Sequence, residues 1–322
     1  MEVMLLFSID RAFLEQKSSD THFIRDNLEK VYRLIDILGF INNTPFLSEN
    51  LALKGGTAIN LAVFDMPRLS VDIDLDLCKD CSRDDMMKIR TELNSIILRY
   101  MSASGYIQNP DKNRTVHSLT SNVFYYQNAG GNRDNIKIEI NYSMRCHILP
   151  ICKQSKTIEA IGTKIDIKTL DPIELFGSKI KALLERTAPR DLYDINNMIN
   201  AQIIHDDDIP LLRKCVLFYR TVGSTGELSE HITYDDIHRL TFNKIRQTLL
   251  PVLQKGEQID LDEMKASVCT FLDSLLVFTS DEEQYLQEFL AGNYRPELLF
   301  DDGEILSRIQ NHPMALWKTQ KN

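Results

Sequence analysis

Between residues 51 and 77 the chain changes its hydrophobic period. The apolar run Leu51-Ala52-Leu53 stops at Gly55-Gly56-Thr57, and an amphipathic turn or two follows. Ser70-Val71-Asp72-Ile73-Asp74-Leu75-Asp76-Leu77 then alternates strictly. Side chains of a strand point to opposite faces in turn, so Val71, Ile73, Leu75 and Leu77 line one face and Ser70, Asp72, Asp74 and Asp76 the other. The pattern predicts a strand, a tight turn, a helix from about Thr57, and a second strand.

Upstream, Phe23, Leu28, Val31, Leu34, Ile35 and Leu38 recur at helical spacing, with Gly39 as the expected stop. After the acidic strand a helix is expected from the N-cap Ser82 to Gly105. It carries Met86, Ile89, Leu93, Ile96, Ile97 and Tyr100, and Asp85 completes a capping box. The period then returns to two. Residues 116–127 read as one strand, Gly130-Gly131-Asn132 as a turn, and 135–142 as a strand with Ile136, Ile138 and Ile140 opposite Lys137, Glu139 and Asn141. Short strands at 157–161 and 164–169 complete a sheet whose rim carries Lys153, Lys156, Lys164 and Lys168.

Asp171-Pro172 marks the change to an all-helical half, since Asp at the N-cap with Pro at the first helical position is a strong start. One helix covers 172–186, Pro189 opens the next, and further helices are expected at 211–219, 234–240, 242–253, 261–278, 281–290 and 301–309. Trp317 is expected to pack the tail down. The class is therefore α+β: residues 1–170 form a mixed twisted sheet flanked by helices, and residues 171–322 an all-helical domain.

Composition narrows the function. The 322 residues suit two domains, and 43% hydrophobic content supports a sizeable core. A formal charge of -9 argues against a protein that coats nucleic acid by bulk electrostatics, although a local basic groove is compatible with it. The start, Met1-Glu2-Val3-Met4-Leu5-Leu6-Phe7, has no basic region ahead of its apolar run, and no segment reaches membrane-spanning length, so a cytoplasmic protein is expected. Six cysteines are too scattered for a disulfide framework. Cys78 and Cys81 form a C-x-x-C, but Cys146 and Cys152 around Pro150 make a poor second pair for zinc, and ordinary thiols are expected. His205, His231 and His238 have no partner spacing that suggests a metal or catalytic site.

Three carboxylates on one strand face repel one another, a cost that a divalent cation relieves. Gly55 and Gly56 allow close backbone approach, and the helix behind them directs free N–H groups at a ligand. Together these features describe a metal–triphosphate site. Gly-Gly-Thr-Ala, a short helix, Arg68-x-Ser70 and Asp72-x-Asp74 resemble the nucleotidyltransferase motif of the AbiEii-type toxins, which belong to type IV toxin–antitoxin and abortive-infection systems. These lie in the DNA polymerase β-like nucleotidyltransferase superfamily. Further on, Lys179, Arg186 seven residues later on the same helical face, and Arg190-Asp191-x-x-Asp194 resemble the family's next motif.

The resemblance covers residues from about 51 to 195 and implies an N-terminal nucleotidyltransferase fold. It implies that Asp72 and Asp74 bind Mg²⁺ or Mn²⁺, with Glu139 as the third carboxylate from a neighbouring strand. Gly55, Gly56, Thr57, Arg68, Ser70, Lys179 and Arg186 would bind the NTP, and Asp72, Asp74, Ser70, Lys179 and Asp191 would be the catalytic set. In that role Asp191 or Asp194 would position Lys179 or an arginine, or touch the base or acceptor; both also suit a plain role at a helix N-terminus. The implied reaction moves an NMP to an acceptor, either RNA such as the tRNA 3′ end or a protein hydroxyl, and the implied partner is a separately encoded antitoxin. A rival reading is an inactive scaffold kept for binding, against which the intact acidic strand speaks. Asn60 and Phe64 stand where an aromatic and a further polar contact are expected, which leaves base recognition undefined.

Overall fold

The computed structural model describes residues 9–224, 226, 228–229 and 231–320. The apolar run at residues 1–7 lies outside them. The chain divides into two compact units: residues up to 145 with 151–169 and 251–257, and residues 146–150 with 170–250 and the chain from 258.

The first unit opens with helices α1 (Arg11–Thr21), α2 (Arg25–Asn43) and α3 (Pro45–Asn50). Helix α2 buries Leu28, Val31, Leu34, Ile35 and Leu38. It passes through Gly39 rather than stopping there, because its apolar face continues to the buried Ile41. The stop is Thr44, whose backbone is extended ahead of Pro45.

The sheet strands are β1 (Leu51–Lys54), β2 (Asp72–Leu77), β3 (Ile107–Gln108), β4 (Arg114–Val116), β5 (Leu119–Gln127), β6 (Arg133–Asn141), β7 (Cys152–Ile158) and β8 (Thr163–Thr169). Their order is β3-β5-β6-β2-β1-β8-β7, with β4 also on β5. The sheet is mixed: β2 pairs antiparallel with β1 and parallel with β6, while β5 runs antiparallel to β6. Residues 116–127 are not one strand. Val116 pairs with Leu119, so the chain turns at His117-Ser118, and Arg90 holds the turn by donating to the His117 carbonyl. Strand β7 starts at Cys152, five residues before the expected position. Ile73, Leu75 and Leu77 with Ile136, Ile138 and Ile140 form the buried face.

Between β1 and β2 lie helix α4 (Gly55–Ala58) and a π-helical turn (Ile59–Val63), and α5 (Arg83–Ala103) follows β2 with Ser82 as its N-cap. Two of the four rim lysines are spent on backbone: Lys156 donates to the carbonyls of Ala62, Val63 and Phe64, and Lys168 to those of Ser48 and Glu49. A late stretch completes the unit. Leu69 donates its backbone N–H to the Val252 carbonyl, Asn27 its side-chain amide to that of Pro251, and Lys255 its N–H to that of His22.

The second unit is helical: α6 (Pro172–Arg186), α7 (Pro189–Asn200), α8 (Ile209–Gly223), α9 (Asp235–His238), α10 (Phe242–Thr248), α11 (Leu261–Leu275), α12 (Ser280–Leu290), α13 (Gly303–Ile309) and α14 (Pro313–Thr319). Asp171 caps α6 through the Ile173 N–H, with Pro172 in the first turn. Gly177 lets α6 and α8 touch, since a Cβ there would lie 2.6 Å from Cys215 Cβ. Fully buried Glu174 accepts from the N–H groups of Ile148 and Leu149 and from the Tyr219 hydroxyl. Burial opposes its charge, but His147, Tyr219 and the Leu149 N–H together hold the carboxyl below the usual range.

Helix α10 ends at Thr248 instead of running to 253, because Pro251 cannot supply the helical N–H. The tail forms α14, which sequence spacing missed. Trp317 is 49% exposed there, and Lys318 holds the tail, donating to the carbonyls of Thr221 and Ser224. Among the described residues no helix is long and apolar enough to cross a membrane.

Candidate active site

The acidic strand owes its form to register. On the two sides of β2, Asp74 faces Lys54 of β1 and Glu139 of β6, and Ser121 of β5 faces Glu139 in turn. One polar row therefore crosses four strands. In the neighbouring row Asp72 faces Lys137. Directly opposed residues share a face, so Asp72, Asp74, Lys137 and Glu139 converge without help from any loop.

The ion pairs show how the cluster tolerates its charge. Lys54 Nζ lies 2.5 Å from Asp76, which is 1% exposed. Lys137 Nζ lies 2.8 Å from Glu139 and 3.9 Å from Asp72. Four carboxylates against two ammonium groups leave a formal surplus of two negative charges. Burial pushes the Asp74 carboxyl up; Lys54 and Lys137 pull it back, and Glu139 and Asp72 push it further up. Burial also opposes the Glu139 charge, yet Lys137, Ser121 and Lys54 hold that carboxyl below its usual range. Asp76, expected beside the other two acids, is instead withdrawn into a buried ion pair with Lys54.

The glycine turn abuts these acids. Gly55 has φ +68°, and a Cβ there would lie 2.8 Å from Asp74 Oδ2. At Gly56 a Cβ would meet Arg68 Nη2 at 2.9 Å and Ser70 Oγ at 3.2 Å. Helix α4 begins at Gly55, two residues before the expected Thr57, so the turn is itself helical. Thr57 donates to the Asp72 carbonyl at 2.5 Å and is hydrogen-bonded to Ser70 Oγ at 2.9 Å. Arg68, 2% exposed, donates to the Leu69 carbonyl and supports the turn from below. Asn60, fully buried, donates to the Gly56 carbonyl. The residues between the two motifs thereby fix the turn against the acids.

A divalent cation fits this chemistry. Oxygen donors with surplus negative charge lie beside a backbone cradle that a methyl group would fill. Among the described residues no three His, Cys, Asp or Glu side chains form a ready-made metal group, and Glu139 is turned onto Lys137. All six cysteines are free thiols; Cys78 accepts from Lys168 Nζ at 3.1 Å, and burial pushes its thiol up against the pull of that lysine.

In the helical unit Lys179 and Arg186 meet on one acid. Lys179 Nζ lies 2.9 Å from Asp191 and 3.0 Å from Asp194, and Arg186 grips Asp191 through Nε at 2.7 Å and Nη2 at 3.0 Å. Burial opposes the Asp191 charge, but Lys179 and Arg186 outweigh it and hold the carboxyl low. Asp191 and Asp194 are each 1% exposed, so neither is a solvated helix-terminus charge.

A family description, nucleotidyl transferase AbiEii toxin of type IV toxin–antitoxin systems, matches residues 39–291. The chain belongs to this family. As an AbiEii toxin it is an enzyme with nucleotidyltransferase activity. Among solved structures it is similar to MenT4, the nucleotidyltransferase toxin Rv2826c from Mycobacterium tuberculosis H37Rv, with a TM-score of 0.60 and 14% identity over 96% of this chain and 99% of that one. At that identity the likeness concerns the fold: a mixed sheet flanked by helices, with further helices toward the C-terminus. No curated protein matches the chain in sequence.

Sequence reasoning about this AbiEii toxin passed over two residues of the acidic face, Lys54 and Lys137. Both were within reach of the period-two pattern: Lys137 is two residues from Glu139, and Lys54 ends the strand that precedes Gly55.

Proposed function

We propose that this AbiEii toxin transfers a nucleoside monophosphate from an NTP to the 3′ hydroxyl of an RNA, with tRNA as the acceptor class, under the restraint of a cognate antitoxin. The observation that carries the reading is the cluster of Asp72, Asp74, Asp76 and Glu139, with Asp74 set against Gly55 and more negative charge than Lys54 and Lys137 balance. Asp72 and Asp74, with Glu139 beside them, would hold Mg²⁺ or Mn²⁺, which supplies neutralisation of phosphate charge. The N–H groups of Gly55, Gly56 and Thr57 at the start of α4 suit the triphosphate oxygens. Ser70, fixed by Thr57, adds a hydroxyl there.

The acceptor oxygen attacks the α-phosphorus, the bond to the bridging oxygen breaks, and pyrophosphate departs. Of the two candidates for taking the acceptor proton, Asp72 and Glu139, the latter is held low by Lys137 and Ser121 and suits charge balance better, so the role goes to Asp72. Catalysis is thus positioning and electrostatics. Lys179, Arg186 and Asp191 stay in the proposal as contributors to transfer. Asp191 fixes both cations, and any phosphate contact made by the Lys179 ammonium replaces one of its two carboxylates.

The test offers purified protein, Mg²⁺ and each α-labelled NTP in turn to total tRNA and to total cell protein, beside Asp72→Ala and Asp74→Ala. RNA label with one NTP, absent in both variants, is the expected result. Label on protein, or full transfer by Asp74→Ala, refutes the proposal.

A further inference from the structure

The polar face of the sheet does not end at the acids. Beyond Glu139 and Ser121 the same row reaches Arg114 of β4, which pairs with Ser121 and is exposed. Farther along β5, Tyr125 pairs with Asn135 of β6 and with Ile107 of β3, so all three share the face of Lys137 and Glu139. Tyr125 is a built platform. Arg133 lies over it with its guanidinium carbon 3.7 Å from the ring centroid, Lys112 Nζ is 5.8 Å from that centroid, and Asn109 donates to the phenol oxygen at 3.0 Å. Ile107, 69% exposed, lies beside it.

Three cations, an aromatic ring and an exposed apolar side chain thus occupy one end of a face whose other end is acidic, in a chain of formal charge -9. Lysines and arginines interleaved with a stacking ring suit a single-stranded polynucleotide, whose phosphates take the charge and whose bases stack on a ring or a guanidinium plane. An RNA duplex hides its base faces and gains little from such a platform.

We infer that this end of the sheet, built on Lys112, Arg114, Tyr125 and Arg133, holds the unpaired nucleotides that precede the reacting 3′ end of the acceptor RNA. Counting strand rise and spacing, Tyr125 lies about 12 Å from Asp72, a span of a few unpaired nucleotides. The inference rests on the proposed RNA-directed transfer and adds which part of the RNA is recognised and where. Because Ser121 and Glu139 continue directly into the Arg114 row, a strand lying on the platform is led to the acids rather than past them.

The test uses the full chain and fluorescence anisotropy without NTP. The probes are a fluorescein-labelled single-stranded RNA octamer and a blunt RNA hairpin carrying the same label. Arg114→Glu/Arg133→Glu and Tyr125→Ala should each weaken octamer binding about tenfold or more, the double variant with a shallower salt dependence. Tyr125→Phe, which keeps the ring, should bind as the parent does. In the transfer assay the same variants should raise KM for RNA and leave KM for the NTP unchanged, while Asp74→Ala abolishes transfer and still binds the octamer. Because the changed side chains are exposed or half-buried, unaltered melting temperatures separate these effects from misfolding.

Octamer binding unchanged in both variants, with transfer to RNA intact, overturns the platform and leaves the RNA reading standing. Equal affinity for the blunt hairpin overturns the single-strand specificity. If the parent neither binds nor labels RNA and labels protein instead, both readings fall together. Loss of binding to an acidic protein partner, with RNA binding unaffected, reassigns the surface to that partner.

Discussion

Gly55→Ala tests the cradle that joins the glycine turn to the acids. The position has φ +68°, where an L-residue pays roughly 1–2 kcal/mol for the left-handed conformation. The new methyl would also stand 2.8 Å from Asp74 Oδ2 and 3.3 Å from Asp74 Cβ, whereas ordinary contact begins at 3.4 Å. The carboxylate must therefore retreat by about 0.6 Å, and a displacement near 1 Å costs on the order of 100-fold when reacting groups depend on position. We expect kcat for transfer to fall about 10- to 100-fold and the melting temperature to drop by about 2–8 °C.

Gly162→Ala is the matched control, since Gly162 has φ +66° and no atom within 4 Å of the new Cβ. It should lose similar stability and keep its transfer rate. Radiolabel transfer and thermal melts on the two variants decide the matter. Full activity in Gly55→Ala, or an equal loss in Gly162→Ala, refutes the reasoning.

Other consequences are simpler to state. Asp74→Asn should abolish transfer while melting higher than the parent at pH 7. Burial raises this carboxyl, so its charge costs stability at neutral pH, and the gap should close as pH falls through the raised folded value toward the ordinary carboxylate range. Asp191→Asn should cost about 1–3 kcal/mol by urea unfolding, because Lys179 is left with Asp194 alone and the largely exposed Arg186 loses its acid. Asp191 and Glu174 both sit below their usual range; their stabilisation is complete above about pH 5 to 6 and is lost as pH falls through the ordinary carboxylate range to the depressed folded values. Melts from pH 7 to pH 3 should show that loss, and Glu174→Gln should flatten it. Gly177→Ala should destabilise by about 1–3 kcal/mol, since its Cβ would come 2.6 Å from Cys215 Cβ with the α8 backbone at 3.3 Å; a neutral melt would mean that α6 and α8 slide apart freely.

What the sequence disclosed follows from how local each cause is. The alternation from Ser70 to Leu77 and the caps at Ser82 and Asp171 rest on neighbouring residues, and each element stands where the pattern placed it, save that the strand begins at Asp72. Gly39 misled because a helix whose apolar face continues tolerates a glycine at about 1 kcal/mol, while Pro45 provides the real stop. The turn at His117-Ser118 carries no glycine or proline and was read as strand.

Within the candidate site, which residues share a face was legible from period two, since it puts Glu139 and Lys137 together. The pairing of Lys54 with Asp76 and the burial of Arg68 were not, because each depends on a contact between separate elements, whereas the contact of Lys179 and Arg186 with Asp191 was expected from the order of the motifs.

The late stretch 251–257 sets a condition on synthesis. Its carbonyls at Pro251 and Val252 receive Asn27 and Leu69, and its Lys255 N–H closes on His22. Leu69 adjoins Arg68 and Ser70, the two side chains beneath the glycine turn. When a ribosome has finished β8, the sheet unit still lacks this piece, and at ordinary elongation rates it waits roughly 5–20 s for the chain to reach residue 257. A nascent or prematurely terminated chain that ends after the sheet therefore lacks the contact that fixes Leu69, so a potentially harmful activity matures only when most of the polypeptide has been made.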